Sequence, residues 1–134
     1  MNIIYYYDPD LKSCPVKQYL SQFNVFATKD AKLIAAINSK IIFLSNRENH
    51  PCPPMSKPLR GYSFFEIGKN KTAKILIRVL YFCENGKMVL LNAFEKPDNY
   101  DSQKIKKGIE KIFDRTEIYR QKYLKNKNLY ENYE

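Results

Sequence analysis

Residues 57–97, KPLRGYSFFEIGKNKTAKILIRVLYFCENGKMVLLNAFEKP, read as three consecutive strands that carry basic residues at regular places. The strands are expected at about Gly61–Ile67, Ala73–Cys83 and Met88–Phe94. GKNK serves as the first turn, and ENGK as a second turn of the Asn-Gly hairpin type. In the middle strand Ile75, Leu76, Ile77, Val79, Leu80, Tyr81 and Phe82 surround one charge, Arg78. From Lys57 to Arg78 six cations (Lys57, Arg60, Lys69, Lys71, Lys74, Arg78) stand against one acid, Glu66. Side chains of a strand alternate with period two, so Lys74 and Arg78 are expected on one face. A cationic sheet face is a natural place for a polyanion.

Working outward, NIIYYY at residues 2–7 is β-branched and aromatic and predicts a first strand. DPDL breaks it. Pro15 then opens a short helix, with Val16, Tyr19, Leu20 and Phe23 as its apolar face. Thr28 is the expected N-cap of a second helix, with Asp30 in the first turn and Ile34, Ile37, Ile41 and Leu44 as a buried stripe. HPCPPMSKP at 50–58 holds four prolines, which forbid both helix and central strand. PDNYDS marks the next break, with Asp101 or Ser102 as the cap of a long C-terminal helix whose apolar face is Ile105, Ile109, Ile112 and Phe113. The tail KNKNLYENYE is polar and is expected to fray. The order β-α-α-β-β-β-α describes an α+β domain, an antiparallel meander packed with helices. It forms a single domain over 1–125 with a polar C-terminal tail over 126–134.

The chain has 134 residues and a formal net charge of +9, most of it beyond residue 56. Such charge favours nucleic acid, an anionic membrane or an acidic partner, without choosing among them. Eleven tyrosines and eight phenylalanines supply rings for the core and, in principle, for stacking on bases. Cys14, Cys52 and Cys83 are odd in number and have no metal-ligand spacing, and there is one histidine. Neither a zinc site nor a disulfide framework is expected, and Cys83 reads as a reduced core thiol. The chain is expected to be cytoplasmic and to need no cofactor. No apolar run is long enough to span a bilayer, and the N-terminus lacks the form of a signal peptide.

Several segments, taken in order, resemble the RelE/ParE superfamily of bacterial toxin–antitoxin modules, in particular the HigB-like, phage Gp49-like branch. They are YYYDPDLKSCPVKQYL, PLRGYSFFEI, ILIRVLYF, LLNAFEKP and the helix containing IKKGIEKIFDR. The resemblance runs from about Ile3 to Tyr123. It implies a RelE-like fold and a metal-independent, ribosome-dependent endoribonuclease (an mRNA interferase) that inhibits translation. Its partners would be mRNA, the ribosome and a cognate helix-turn-helix (HigA-like) antitoxin. The third-strand arginine that contacts the scissile phosphate in such toxins corresponds to Arg78, and the basic position after the fourth-strand phenylalanine corresponds to Lys96. Gly68 and Pro97 stand where the family commonly carries cations. Lys69, Lys71 and Lys74 lie close enough in sequence to substitute.

Metal-free RNA cleavage needs a base for the 2′-OH, cationic donors for the phosphorane and an acid for the departing 5′-oxygen. The planar fork of Arg78 suits the second role, and its rival role is an ion pair with Glu66 on the neighbouring strand. The base stays open among His50, Glu66 and a lysine of lowered pKa among Lys69, Lys71 and Lys74. Tyr62 could stack on a base, act as acid or pack. Lys57 and Arg60 complete the candidate RNA-binding set. Two other functions compete: a ParE-like protein inhibitor of DNA gyrase, and a non-catalytic basic module that binds RNA or the ribosome.

Overall fold

The computed structural model describes residues 1–97 and 102–133. Its elements are β1 (Asn2–Tyr6), α1 (Pro15–Leu20), α2 (Thr28–Ser45), β2 (Lys57–Pro58), β3 (Phe65–Asn70), β4 (Ile75–Glu84), β5 (Lys87–Pro97), α3 (Gln103–Lys125) and β6 (Tyr130–Asn132). The strands form one six-stranded sheet in the order β2-β3-β4-β5-β1-β6. The α+β class holds, and β3-β4-β5 is the expected antiparallel meander. The sheet as a whole is mixed, however, because β1 lies parallel to β5. No described helix is long and apolar enough to cross a membrane.

The central strand explains the layering. Every residue from Ile77 to Phe82 is buried, which a continuous apolar run permits only when both sheet faces are covered. On one face Ile77, Val79 and Tyr81 join Ile67, Met88 and Leu90 against Ile37, Ile41 and Leu44 of α2. On the other Leu80 and Phe82 join Ile4, Tyr6, Phe64, Val89, Leu91 and Phe94 against Tyr119 and Tyr123 of α3. Each fully buried aliphatic or aromatic side chain contributes about 1.5–3 kcal/mol. A bulge between Leu80 and Tyr81 shifts the β4–β5 register.

Asn85 (φ 49°) and Gly86 (φ 71°) both adopt positive φ in the β4–β5 hairpin, as a type I′ turn requires. The first turn lies further along than expected. Gly68–Asn70 belongs to β3, and the chain reverses over Lys71–Lys74, where Thr72 Oγ1 accepts from the amides of Lys74 and Ile75 at 3.1 Å each. Gly61, expected to begin a strand, is instead a turn residue with φ 86°. Thr28 is the first residue of α2 and Ala27 occupies its N-cap, while Asp30 accepts the Asn24 amide at 2.8 Å. Ser102 does cap α3, accepting from the Ile105 amide; Asp101 lies outside the described residues. Ile109, Ile112 and Phe113 are only partly buried, and the fully buried positions of α3 are Thr116, Tyr119 and Tyr123 further along.

Two short strands were not expected. β2 forms within the proline-rich connector, where Lys57 and Pro58 pair with Glu66 and Phe65. The tail is ordered as β6, antiparallel to β1. Backbone bonds hold it despite its polar side chains, and the Tyr133 hydroxyl donates to Asn38 of α2.

Asp8 ties the β1–α1 connector to α3. It is 2% exposed and accepts from the Tyr6 hydroxyl (2.7 Å), the Leu11 amide (2.9 Å) and Lys122 Nζ (3.2 Å). Burial alone would raise the carboxyl's pKa, but these three donors hold it below the usual carboxylate value. A depressed folded-state pKa stabilises the fold above the unfolded value, about 3.9, and that stability is lost as pH falls through the folded value. Asp8→Asn is therefore expected to cost about 2–3 kcal/mol at pH 7 in urea denaturation. The gap between variant and parent should narrow once the pH is taken below about 4.

Candidate anion-binding site

Alternation along the strands decides which charges meet. Arg78 stands opposite Gly68 on β3 and Phe94 on β5, and Glu66 stands opposite Leu80 on β4 and Lys57 on β2. Arg78 and Glu66 thus share the face that carries α3, on adjacent strands. Arg78 Nη1 donates to Glu66 Oε1, and the two side chains are 10% and 11% exposed. The pairing weighed from the sequence is therefore present. Among the described residues the buried Arg78 Nε has no hydrogen-bond partner.

Arg78 and Glu66 stand in the wall of a cleft of about 250 Å³ at the open edge of β3. Lys40, Lys57 and Lys69 line the same cleft, so four cations meet a single acid there. Lys40 projects from α2 and donates to the Gly68 carbonyl at 2.7 Å, covering part of the β3 edge that β2 is too short to pair. Burial, and then the nearby Lys69, lower its pKa. Gly68 leaves the cleft open beside Arg78. A Cβ there would meet Leu76 Cδ1 at 3.9 Å and Arg78 Cδ at 4.0 Å, both ordinary contacts.

A second cleft, of about 280 Å³, opens between β5 and α3, and Lys96 lines it together with Phe94, Ile109 and Phe113. Glu66 borders both clefts. Lys96 stands opposite Leu76, two residues along from the Arg78–Phe94 pair, so it shares the face of Arg78.

The remaining predicted residues are placed elsewhere. Lys71 bonds Glu95 at 2.9 Å, a carboxylate that also accepts from the Tyr19 hydroxyl at 2.7 Å. Glu95 stands opposite Ile77, whose side chain packs with α2, so Lys71 belongs to the other face of the sheet. Lys74 is exposed in the turn, before β4 begins, and does not share a strand face with Arg78. Arg60 is exposed in the connector. Tyr62 packs on Phe64 and Phe113 and bonds Asp114 at 3.0 Å, which fastens the connector to α3.

His50 does not line either cleft. Its Nδ1 lies 2.8 Å from the Tyr81 hydroxyl and its Nε2 lies 3.0 Å from the Arg47 carbonyl. Tyr81 also bonds Ser56 at 2.8 Å, and Ser56 accepts the Cys52 amide at 2.8 Å. This chain of bonds fixes the proline-rich connector to the core. Cys83 is a free thiol at the margin of the same core, and burial pushes its pKa up to about 11.

Lys40 is the cleft residue that the strand pattern did not reveal. Its one signal in the sequence is its place in α2, three residues after Ile37 and directly before Ile41, at the flank of the buried stripe.

Replacing Glu66 or Arg78 alone by methionine is expected to cost about 3–5 kcal/mol, because the other charge stays buried without its partner. The double replacement should recover most of that loss in chemical denaturation. Lys40→Met is expected to weaken binding of a single-stranded RNA oligonucleotide several-fold. It should also reduce the slope of log K against log salt by about 0.7, the contribution of one phosphate contact. No protein-family model, curated protein or solved structure matches the chain.

Proposed function

We propose that the protein is a RelE/HigB-like toxin that cuts mRNA on the ribosome by a metal-independent mechanism and is held inactive by an acidic surface of a helix-turn-helix antitoxin. The observation that carries this reading is the Arg78–Glu66 pair in the wall of a cleft where four cations meet one acid. The resemblance of the segments around Arg78 and Lys96 supports it, as does the net charge of +9.

In this reading a backbone phosphate enters the cleft and takes the Arg78 guanidinium from Glu66, with Lys40, Lys57 and Lys69 adding positive potential. The released Glu66 carboxylate accepts the 2′-OH proton. The 2′-oxygen bonds to phosphorus, charge builds on the phosphorane oxygens beside Arg78, and the bond to the 5′-oxygen breaks. Lys96, on the same face, supplies the proton to that oxygen. The products are a 2′,3′-cyclic phosphate and a 5′-hydroxyl. His50 takes no part, since both ring nitrogens serve the connector.

The engagement of Arg78 by Glu66 favours a second reading, a basic RNA- or ribosome-binding module without cleavage. Primer extension on mRNA from induced cells decides between them. Cleavage predicts new 5′ ends and growth arrest, both reduced at least about a hundredfold in Arg78→Lys, which keeps the charge and loses the bidentate fork. Growth arrest without new 5′ ends would reject the nuclease reading and pass to the binding module or a gyrase inhibitor.

A further inference from the structure

We infer that the cleft between β5 and α3 receives a nucleobase whose phosphate lies on Arg78, so that the two clefts, which Glu66 borders in common, form one nucleotide site. This rests on the reading of the cationic cleft as a place for RNA phosphate and adds the base-binding half.

The second cleft differs in character from the first. Leu59, Phe94, Ile109 and Phe113 make its apolar lining, and Lys96, Lys106 and Glu110 give it polar groups. Two of the lining residues are aromatic, Phe94 and Phe113, whose rings meet edge to face at 6.1 Å and 79°. A flat heterocycle with polar edges suits such a lining, because its faces prefer apolar contact while its rim needs donors and acceptors. Lys96 and Lys106 are donors, and Glu110 is an acceptor.

Register sets the spacing. Phe94 is the β5 neighbour of Arg78, and adjacent strands lie about 4.8 Å apart. Arg78 and Phe94, which line the cationic and the apolar cleft respectively, therefore leave the sheet from neighbouring strands. A nucleotide has the same plan, with a ring on one side of a sugar and a phosphate on the other. Glu66 borders both clefts, so in this site the sugar lies beside its carboxylate. A carboxylate there accepts from a ribose hydroxyl. An acidic peptide would satisfy the cations of the first cleft but would leave the aromatic cleft empty.

The test compares adenosine 5′-monophosphate with ribose 5-phosphate, which carries a hydroxyl in place of the base, on the protein by titration calorimetry and NMR. The nucleotide is expected to bind at least about fivefold more tightly, the low end of what base stacking contributes. It should shift the ring resonances of Phe94 and Phe113, which ribose 5-phosphate leaves in place. Ile109→Glu places a carboxylate in the cleft, and the ratio of the two affinities should then fall to about one. The ratio is the quantity read, since a new negative charge weakens both phosphates. Phe113→Leu keeps an apolar side chain at a core-facing position and should lower the same ratio at least about twofold. Equal affinities in the parent protein, or nucleotide-induced shifts confined to other residues, would overturn the base site even with phosphate still bound at Arg78. A preserved nucleotide preference in a protein that yields no new 5′ ends on mRNA would retain this site and reject the nuclease.

Discussion

Arg78 is a cation fixed in the middle of a strand that is buried on both faces, and much of the site follows from that constraint. A buried guanidinium requires a counter-charge within reach, and Glu66 on the adjacent strand supplies it. Because the pair occupies the α3 face close to the open edge of β3, it cannot be sealed by the core. The cleft beside it gathers Lys40, Lys57 and Lys69. Satisfying one charge therefore leaves a concave surface with a net excess of positive charge, and an ion pair that a stronger anion can rearrange.

That arrangement separates two kinds of basic residue. Lys40, Lys57 and Lys69 are held by three elements, α2, β2 and β3, around one cleft. Lys71 is paired on the opposite face, and Arg60 and Lys74 are exposed away from it. Net charge brings a polyanion near the protein, while the geometry around Arg78 determines where a single phosphate could be held.

The meander was legible from residues 57–97 because its signals are local. The apolar run around Arg78 marks a strand, and Asn85-Gly86 marks the reversal that follows. The possible Arg78–Glu66 pair could be named from the same stretch, since both residues lie on neighbouring strands of it. Other features depend on contacts between distant segments. Lys74 lost its place on the strand face because Thr72 holds the turn and β4 begins only at Ile75. Lys40 enters the site through the packing of α2 over the β3 edge, which no strand pattern encodes. The last strand carries polar side chains and is held by backbone pairing to β1, so hydropathy could not mark it. Nor could it mark β1 as the parallel partner of β5, because register and neighbour choice are global properties.

The place of β1 in the sheet also bears on how the chain acquires its structure during synthesis. Asn2–Tyr6 is made well before its β5 partners Lys87–Leu90, which follow it by more than half of the sequence. Until β5 has been synthesised, this hydrophobic and aromatic segment has neither neighbour in the sheet. Non-local parallel pairing of this kind slows folding, since a long loop must close before any contact rewards it. The nascent chain thus carries an unpaired sticky strand until β5 emerges. An early-binding chaperone would find its natural target there, at the opposite end of the sheet from the cationic cleft.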